Sequence, residues 1–228
     1  MIEDTEFEIF LYISKNKYQI FVYDRINLKN LYNEEIESGD QLELNILSKF
    51  LDDNIYKIEK MIKNFIQNII LIIEDDKILD IGISLKKKNY EKNTDQKQLE
   101  NSLVELKDIF KENYQDFLIM HMIIVEKENN FFVSDAINNN DCLFLELNFI
   151  SIPYFLTSNF DKLLENHQIK IKRYMSGSYI KSFFDEELMD LFVMANKLND
   201  GFNKNEVQLI SKSKENKGFF EKFFQLFS

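Results

Sequence analysis

Short runs of β-branched and aromatic residues open the chain. Glu8 to Ile13 and Tyr18 to Asp24 flank the polar stretch Ser14 to Lys17, which predicts a β-hairpin. Asn30 to Gln41 is polar, with Gly39 as a breaker, and reads as a connection. From Ser48, a capping residue, the spacing becomes helical to about Gln67. Leu51, Ile55, Ile58, Ile62, Phe65 and Ile66 form the stripe expected to be buried. Ile69 to Ile73 is continuously apolar, the pattern of a strand covered on both faces.

A second unit follows. Leu79, Ile81, Ile83 and Leu85 alternate with Asp80, Gly82 and Ser84, a half-buried strand, and Lys86 to Asn93 reads as a solvated loop. Asp95 begins a helix with Leu99, Leu103, Leu106 and Phe110 on its inner face. Strands are expected at Phe117 to Glu126, Phe131 to Ser134, Cys142 to Ser151 and His167 to Tyr174. Helices are expected at Asn159 to Asn166, Tyr179 to Phe184 and Glu186 to Leu198. The unit then runs β-α-β-β-β-α-β, an α+β arrangement of the split type.

The last eleven residues carry a different pattern. Wound as a helix, Phe219, Phe220, Phe223, Phe224 and Phe227 gather on one face, with Glu221, Lys222, Gln225 and Ser228 opposite. Eleven residues cannot span a bilayer, so the apolar blade predicts a helix lying in a membrane surface or docked in a groove. From residue 212 onward four lysines oppose two glutamates, in a chain of net charge −11. That asymmetry turns the tail, rather than the body, toward anionic lipid. Phe219, Phe220, Phe223, Phe224, Leu226 and Phe227 are the expected membrane-binding residues, with Lys217 and Lys222 meeting headgroups.

Composition narrows the rest. The acidic balance argues against nucleic acid as the main partner. A lone Cys142 excludes an intrachain disulfide and a cysteine metal cluster. The acidic start and the lack of a long apolar run predict a cytoplasmic body. Asp80, Gly82 and Ser84 resemble the start of a phosphate loop, but Leu85 and the lysines after it favour a structural strand. His121 lies inside an apolar strand with no acidic partner placed beside it by sequence, and His167 reads as a helix-end residue. Asp52 with Asp53, and Glu74 to Asp76, read as a charged helix start and a turn before they read as cation ligands. No catalytic, cofactor or metal signature appears, so the chain is expected not to be an enzyme.

The order of elements, taken with the tail, resembles the bacterial cell-division FtsA family. Leu118 to Ile124, Phe131 to Asp135, Ile137 to Asn140, Leu143 to Phe149, Asn159 to Leu164 and Ile169 to Lys172 look like its inserted 1C subdomain. Met175 to Tyr179 is similar to the corner that ends that subdomain. Leu11 to Lys15 falls where the actin-like 1A subdomain opens, and Ile69 to Ile73 where a strand leads into 1C. The resemblance implies a partial actin-like 1A unit over 1–76, a 1C-like insertion over 77–185 and a helix over 186–200. A polar linker over 201–217 and the membrane-targeting helix over 218–228 complete it.

The departures shape what the resemblance implies. Tyr12 stands where the family's phosphate-loop aspartate would be, and no second actin lobe or adenosine site follows. Nucleotide binding is therefore not implied, and no cofactor is expected. Contact with FtsZ uses a subdomain this chain lacks. What remains implied is a peripheral adaptor on the cytoplasmic face of the inner membrane. Its partners would be anionic lipid and division proteins, through self-association or a cytoplasmic tail of the FtsN type. The alternatives are a degenerate actin-like ATPase of the FtsA and PilM group, or a soluble interaction domain with a self-docked tail.

Overall fold

The computed structural model describes residues 7–88, 96–125, 142–184 and 189–207, and these fall into two compact units. The first comprises 1–78 and 153–200. The second comprises 79–152 together with 201–228.

The first unit is built on a five-stranded sheet. Its opening strands are β1 (Phe7–Ile13), β2 (Lys17–Asp24) and β3 (Lys29–Glu37), an antiparallel meander. Helix α1 (Leu44–Ile62) leads to β4 (Asn68–Ile73), which lies parallel to β1. Strand β8 (Lys170–Ser176) lies parallel to β4, giving the order β3-β2-β1-β4-β8. A meander followed by two parallel strands is the strand order of an actin-like lobe, and the fold is mixed α/β. Ile69 to Ile73 are all buried, as a strand covered on both faces must be.

The two covering layers follow from strand alternation. Tyr18 points to α1, where its hydroxyl accepts from the Glu43 N–H (2.8 Å) and lies 3.3 Å from the Glu43 carbonyl. Tyr32, beside Val22 in register, donates to Asn54 of α1 (2.6 Å). On the opposite parity, Phe10 and Phe21 meet Phe192 of α5 (Leu191–Asn199). The Phe21 and Phe192 rings stack at 4.4 Å with an interplanar angle of 3°. Helices α3 (Tyr154–Glu165) and α4 (Gly177–Phe183) flank β8 in sequence.

The second unit has a three-stranded sheet in the order β5-β7-β6: β5 (Leu79–Lys88), β7 (Cys142–Pro153) and β6 (Phe117–Ile124). Helix α2 (Gln96–Asn113) lays Leu99, Leu103, Leu106 and Phe110 against Met122, Ile124, Leu145, Leu147 and Phe149. Phe110 stacks on Phe149 at 4.8 Å.

Several sequence expectations need correction. The polar 30–41 stretch holds β3, an edge strand whose exposed positions show no apolar alternation. Helix α1 starts at Leu44 rather than Ser48, and it stops where Lys63 adopts a left-handed backbone, φ 56°. Phe65 therefore leaves the stripe and is 80% exposed, whereas Ile66 turns back into the core. Strand β8 was expected to close the second unit; it hydrogen-bonds to β4 and belongs to the first sheet. The linker expected from residue 201 is packed as far as Val207, with Asn203, Glu206 and Val207 buried. The expected turn at 126–130, strand at 131–134, loop at 137–141 and helix at 218–228 lie outside the described residues.

Candidate functional site

Strands β1, β4 and β8 run parallel, so their carboxyl ends share one edge of the first sheet, where open α/β sheets place their ligands. The chain's own side chains fill this edge. Ser14 closes the β1–β2 turn by donating its N–H to the Lys17 carbonyl (2.9 Å) and accepting the Lys17 N–H on Oγ (3.2 Å). Tyr12, buried at the end of β1, has the ammonium groups of Lys17 and Lys181 each 5.9 Å from its ring centroid. Burial pushes the Tyr12 phenol above its ordinary value; the Ser14 hydrogen bond offsets part of the rise and the Glu74 carboxylate adds to it. The phenol is neutral at physiological pH.

Glu74 follows β4 and donates its N–H to the Ile13 carbonyl (2.9 Å). Its carboxylate turns toward the start of α4, where Lys181, one turn along that helix, reaches back to it at 2.6 Å. A Cβ on Gly177 would fall 2.6 Å from Glu74 Cγ and Oε1, so only glycine admits this approach. A helix amino end favours an anion, and at α4 the anion is the protein's own carboxylate. Next to it, Asp75 caps its turn by accepting the Lys77 N–H (2.9 Å), and Asp76 pairs with Lys15. The acids Glu74 to Asp76 are thus committed to protein partners. Among the described residues, no group of three or more potential ligands is placed to hold a metal ion.

Other candidates resolve separately. His121 is 1% exposed on β6, and its Nδ1 lies 2.8 Å from Glu206 Oε1, an acid 85 residues away. That partner is invisible to sequence reasoning, which sees no periodicity in Asn203 to Val207. The Ile124 N–H donates to the Asn205 carbonyl (2.9 Å) and the Val207 N–H to the Met122 carbonyl (2.7 Å). These bonds hold the segment along β6 and make the pair an internal clasp. Gly82 has no close contact at its Cβ direction nearer than Glu146 Oε1 at 3.7 Å, as a strand residue outside any phosphate loop should. His167 follows α3, donating its N–H to the Leu164 carbonyl (3.0 Å), with Nε2 3.5 Å from Asp52. Both line a groove of about 610 Å³ beside Tyr56 and Phe65.

Phe219, Phe220, Phe223, Phe224, Leu226, Phe227, Lys217 and Lys222 lie outside the described residues. Among the described residues, no helix is long and apolar enough to cross a membrane.

No protein-family model matches the chain, and no curated sequence matches it. Solved structures similar to the chain include the following three. The cytoplasmic domain of EpsL, an inner membrane component of the Vibrio cholerae type II secretion system, is 8% identical over 76% of this chain and 57% of its own, with a TM-score of 0.40. A Bacteroides thetaiotaomicron protein with an actin-like ATPase fold is 15% identical over 80% and 58%, with a TM-score of 0.37. The PilM–PilN type IV pilus biogenesis complex is 5% identical over 78% and 49%, with a TM-score of 0.49. The chain spans about half to three-fifths of the length of these structures.

Proposed function

We propose that this chain is a scaffold of the actin-like type that binds no nucleotide, working as a docking component of a membrane-associated protein assembly. The carrying observation is the closed carboxyl edge. Tyr12 and the Glu74–Lys181 pair occupy the place where an actin-like lobe would receive phosphates, and an anionic ligand there would meet Glu74 first. The assembly is of the kind to which EpsL and PilM belong. In its finer form this reading is the cell-division adaptor implied by the FtsA resemblance, with division proteins or a second copy as partners. The phenylalanine stripe at 219–227 is the proposed membrane anchor, and single-copy binding through so short a helix is reversible.

Two measurements test it. Millimolar Mg-ATP should leave the thermal midpoint unchanged, because a ligand that does not bind the native state adds no stability. A clear ATP-dependent rise would overturn the reading that the chain binds no nucleotide. Phe223→Glu/Phe224→Glu should abolish co-sedimentation with anionic vesicles; equal pelleting of wild type and variant would remove the anchor.

A further inference from the structure

The turn between β2 and β3 presents two large aliphatic side chains to water, Ile26 at 69% and Leu28 at 73% exposure. It is a built turn. Asp24 Oδ1 accepts the N–H groups of Ile26 (3.0 Å) and Asn27 (2.8 Å), and Oδ2 accepts the Asn27 side-chain amide (2.7 Å). Leu28 then adopts a left-handed backbone, φ 51°, where glycine or asparagine sits easily and leucine only under strain. The Asp24 hydrogen bonds hold the turn in this form, and the largely exposed Leu28 side chain adds little packing of its own.

Charge points to what covers these two residues. Arg25 and Lys29 bracket them, so the run from 25 to 29 carries two cations and no acid in a chain of net charge −11. Beneath the turn, Arg25 pairs with Glu8 (3.5 Å) and Asp200 (2.9 Å), and Lys172 also reaches Glu8 (3.3 Å). With Asp24 and Lys29 included, three cations meet three carboxylates among the described residues here, a balance that the chain as a whole, at −11, does not have. Aliphatic tips on a rigid loop, flanked by cations, match the interfacial zone of an anionic bilayer.

We propose that Ile26 and Leu28 form a second, shallow membrane contact, inserting among anionic lipid headgroups while Lys29 faces the phosphates. The proposal rests on the reading that this chain works at a membrane, and it fixes which corner of the first unit faces the lipid. Two weak contacts on one chain act together, since binding by one raises the effective concentration of the other.

The chain has no tryptophan, so Ile26→Trp introduces a sole indole at the tip. Full-length Ile26→Trp is mixed with vesicles of phosphatidylglycerol and phosphatidylcholine. Its emission should shift to the blue and be quenched by brominated phosphatidylcholine, with neither effect on vesicles of phosphatidylcholine alone. Ile26→Asp/Leu28→Asp should weaken vesicle binding about tenfold with the tail intact. Leu28→Asn should weaken it too without lowering the thermal midpoint, since asparagine tolerates the left-handed backbone. Unshifted emission on vesicles that still pellet the protein overturns the loop contact and leaves the tail reading standing. Shifted emission in the Phe223→Glu/Phe224→Glu background keeps the loop contact and overturns the tail as the sole anchor. A protein that pellets in no form overturns both. Loop-dependent dimerisation without vesicles, or a lowered midpoint for Leu28→Asn, would assign these residues to a protein contact or to the fold and overturn the proposal.

Discussion

Gly177 is the residue on which the closed carboxyl edge turns. A methyl group there would sit 2.6 Å from Glu74 Cγ, so Gly177→Ala forces the glutamate out of its seat and away from Lys181. Loss of the ion pair alone is a small term, because Lys181 is about one-third exposed; overpacking supplies most of an expected cost of about 1–3 kcal/mol. In a Glu74→Ala background the obstacle is gone, and alanine in a helix is then better than glycine by up to about 1 kcal/mol. Thermal unfolding of the wild type and the three variants should therefore show a change of sign between the two backgrounds. An equal loss in both would mean that Gly177 is needed for its backbone alone. Sequence shows the corner Met175 to Tyr179 as a break, yet gives no hint that its glycine accommodates a side chain about 100 positions earlier. Tyr12 was legible as a departure from a phosphate loop. Its burial beneath two lysines was not, because that depends on where β4 and α4 end.

At the scale of elements, legibility followed burial. Strands β1, β2 and β4 and helix α2 were readable because each buries a face or both faces, and burial writes periodicity into sequence. Strand β3 was not, because an edge strand with one partner and an exposed outer row has no reason to alternate, and its glutamates suit an edge that must not pair indiscriminately. The pairing of β8 with β4 was missed for another reason. Hydrogen-bond partners separated by a whole inserted unit leave no local trace, so order along the chain put β8 with its sequence neighbours. Helix α5 depends on one aromatic. Phe192 packs against both Phe10 and Phe21 and is buried, and Asp190 caps the helix by accepting the Phe192 N–H (2.9 Å). Phe192→Ala should cost about 3–5 kcal/mol, the usual range for emptying a buried aromatic site. Faster hydrogen exchange in α5 than in β1 would show that the helix, rather than the sheet, gives way first. Uniform acceleration across the first unit would instead make α5 part of one cooperative core.

For the whole molecule, the decisive feature is that the chain crosses between its two units three times, after 78, after 152 and after 200. The third crossing matters most, because residues 203–207 complete the second unit: Glu206 meets buried His121, and Val207 joins the core formed by α2 and the sheet. A chain ending at Asp200 would keep every described element of the first unit and leave the second without the Glu206 contact to buried His121 and with a gap where Val207 sat. Breaking a buried pair and opening an apolar site together amount to roughly 3–5 kcal/mol. Amide exchange in α2 and β6 should then speed up by about a hundredfold or more, at about 1.4 kcal/mol per tenfold, while β1 and β4 keep their protection. The point variant Glu206→Ala/Val207→Ala in the full-length chain should reproduce most of this change, which separates lost packing from loss of everything after residue 207. If the truncated chain exchanges like the intact one in α2, the 203–207 segment is a passenger on β6, and the residues after 200 serve only as a leash. If it exchanges faster, removing the tail to test membrane binding also loosens the second unit, and point substitutions of Phe223 and Phe224 are the sounder comparison.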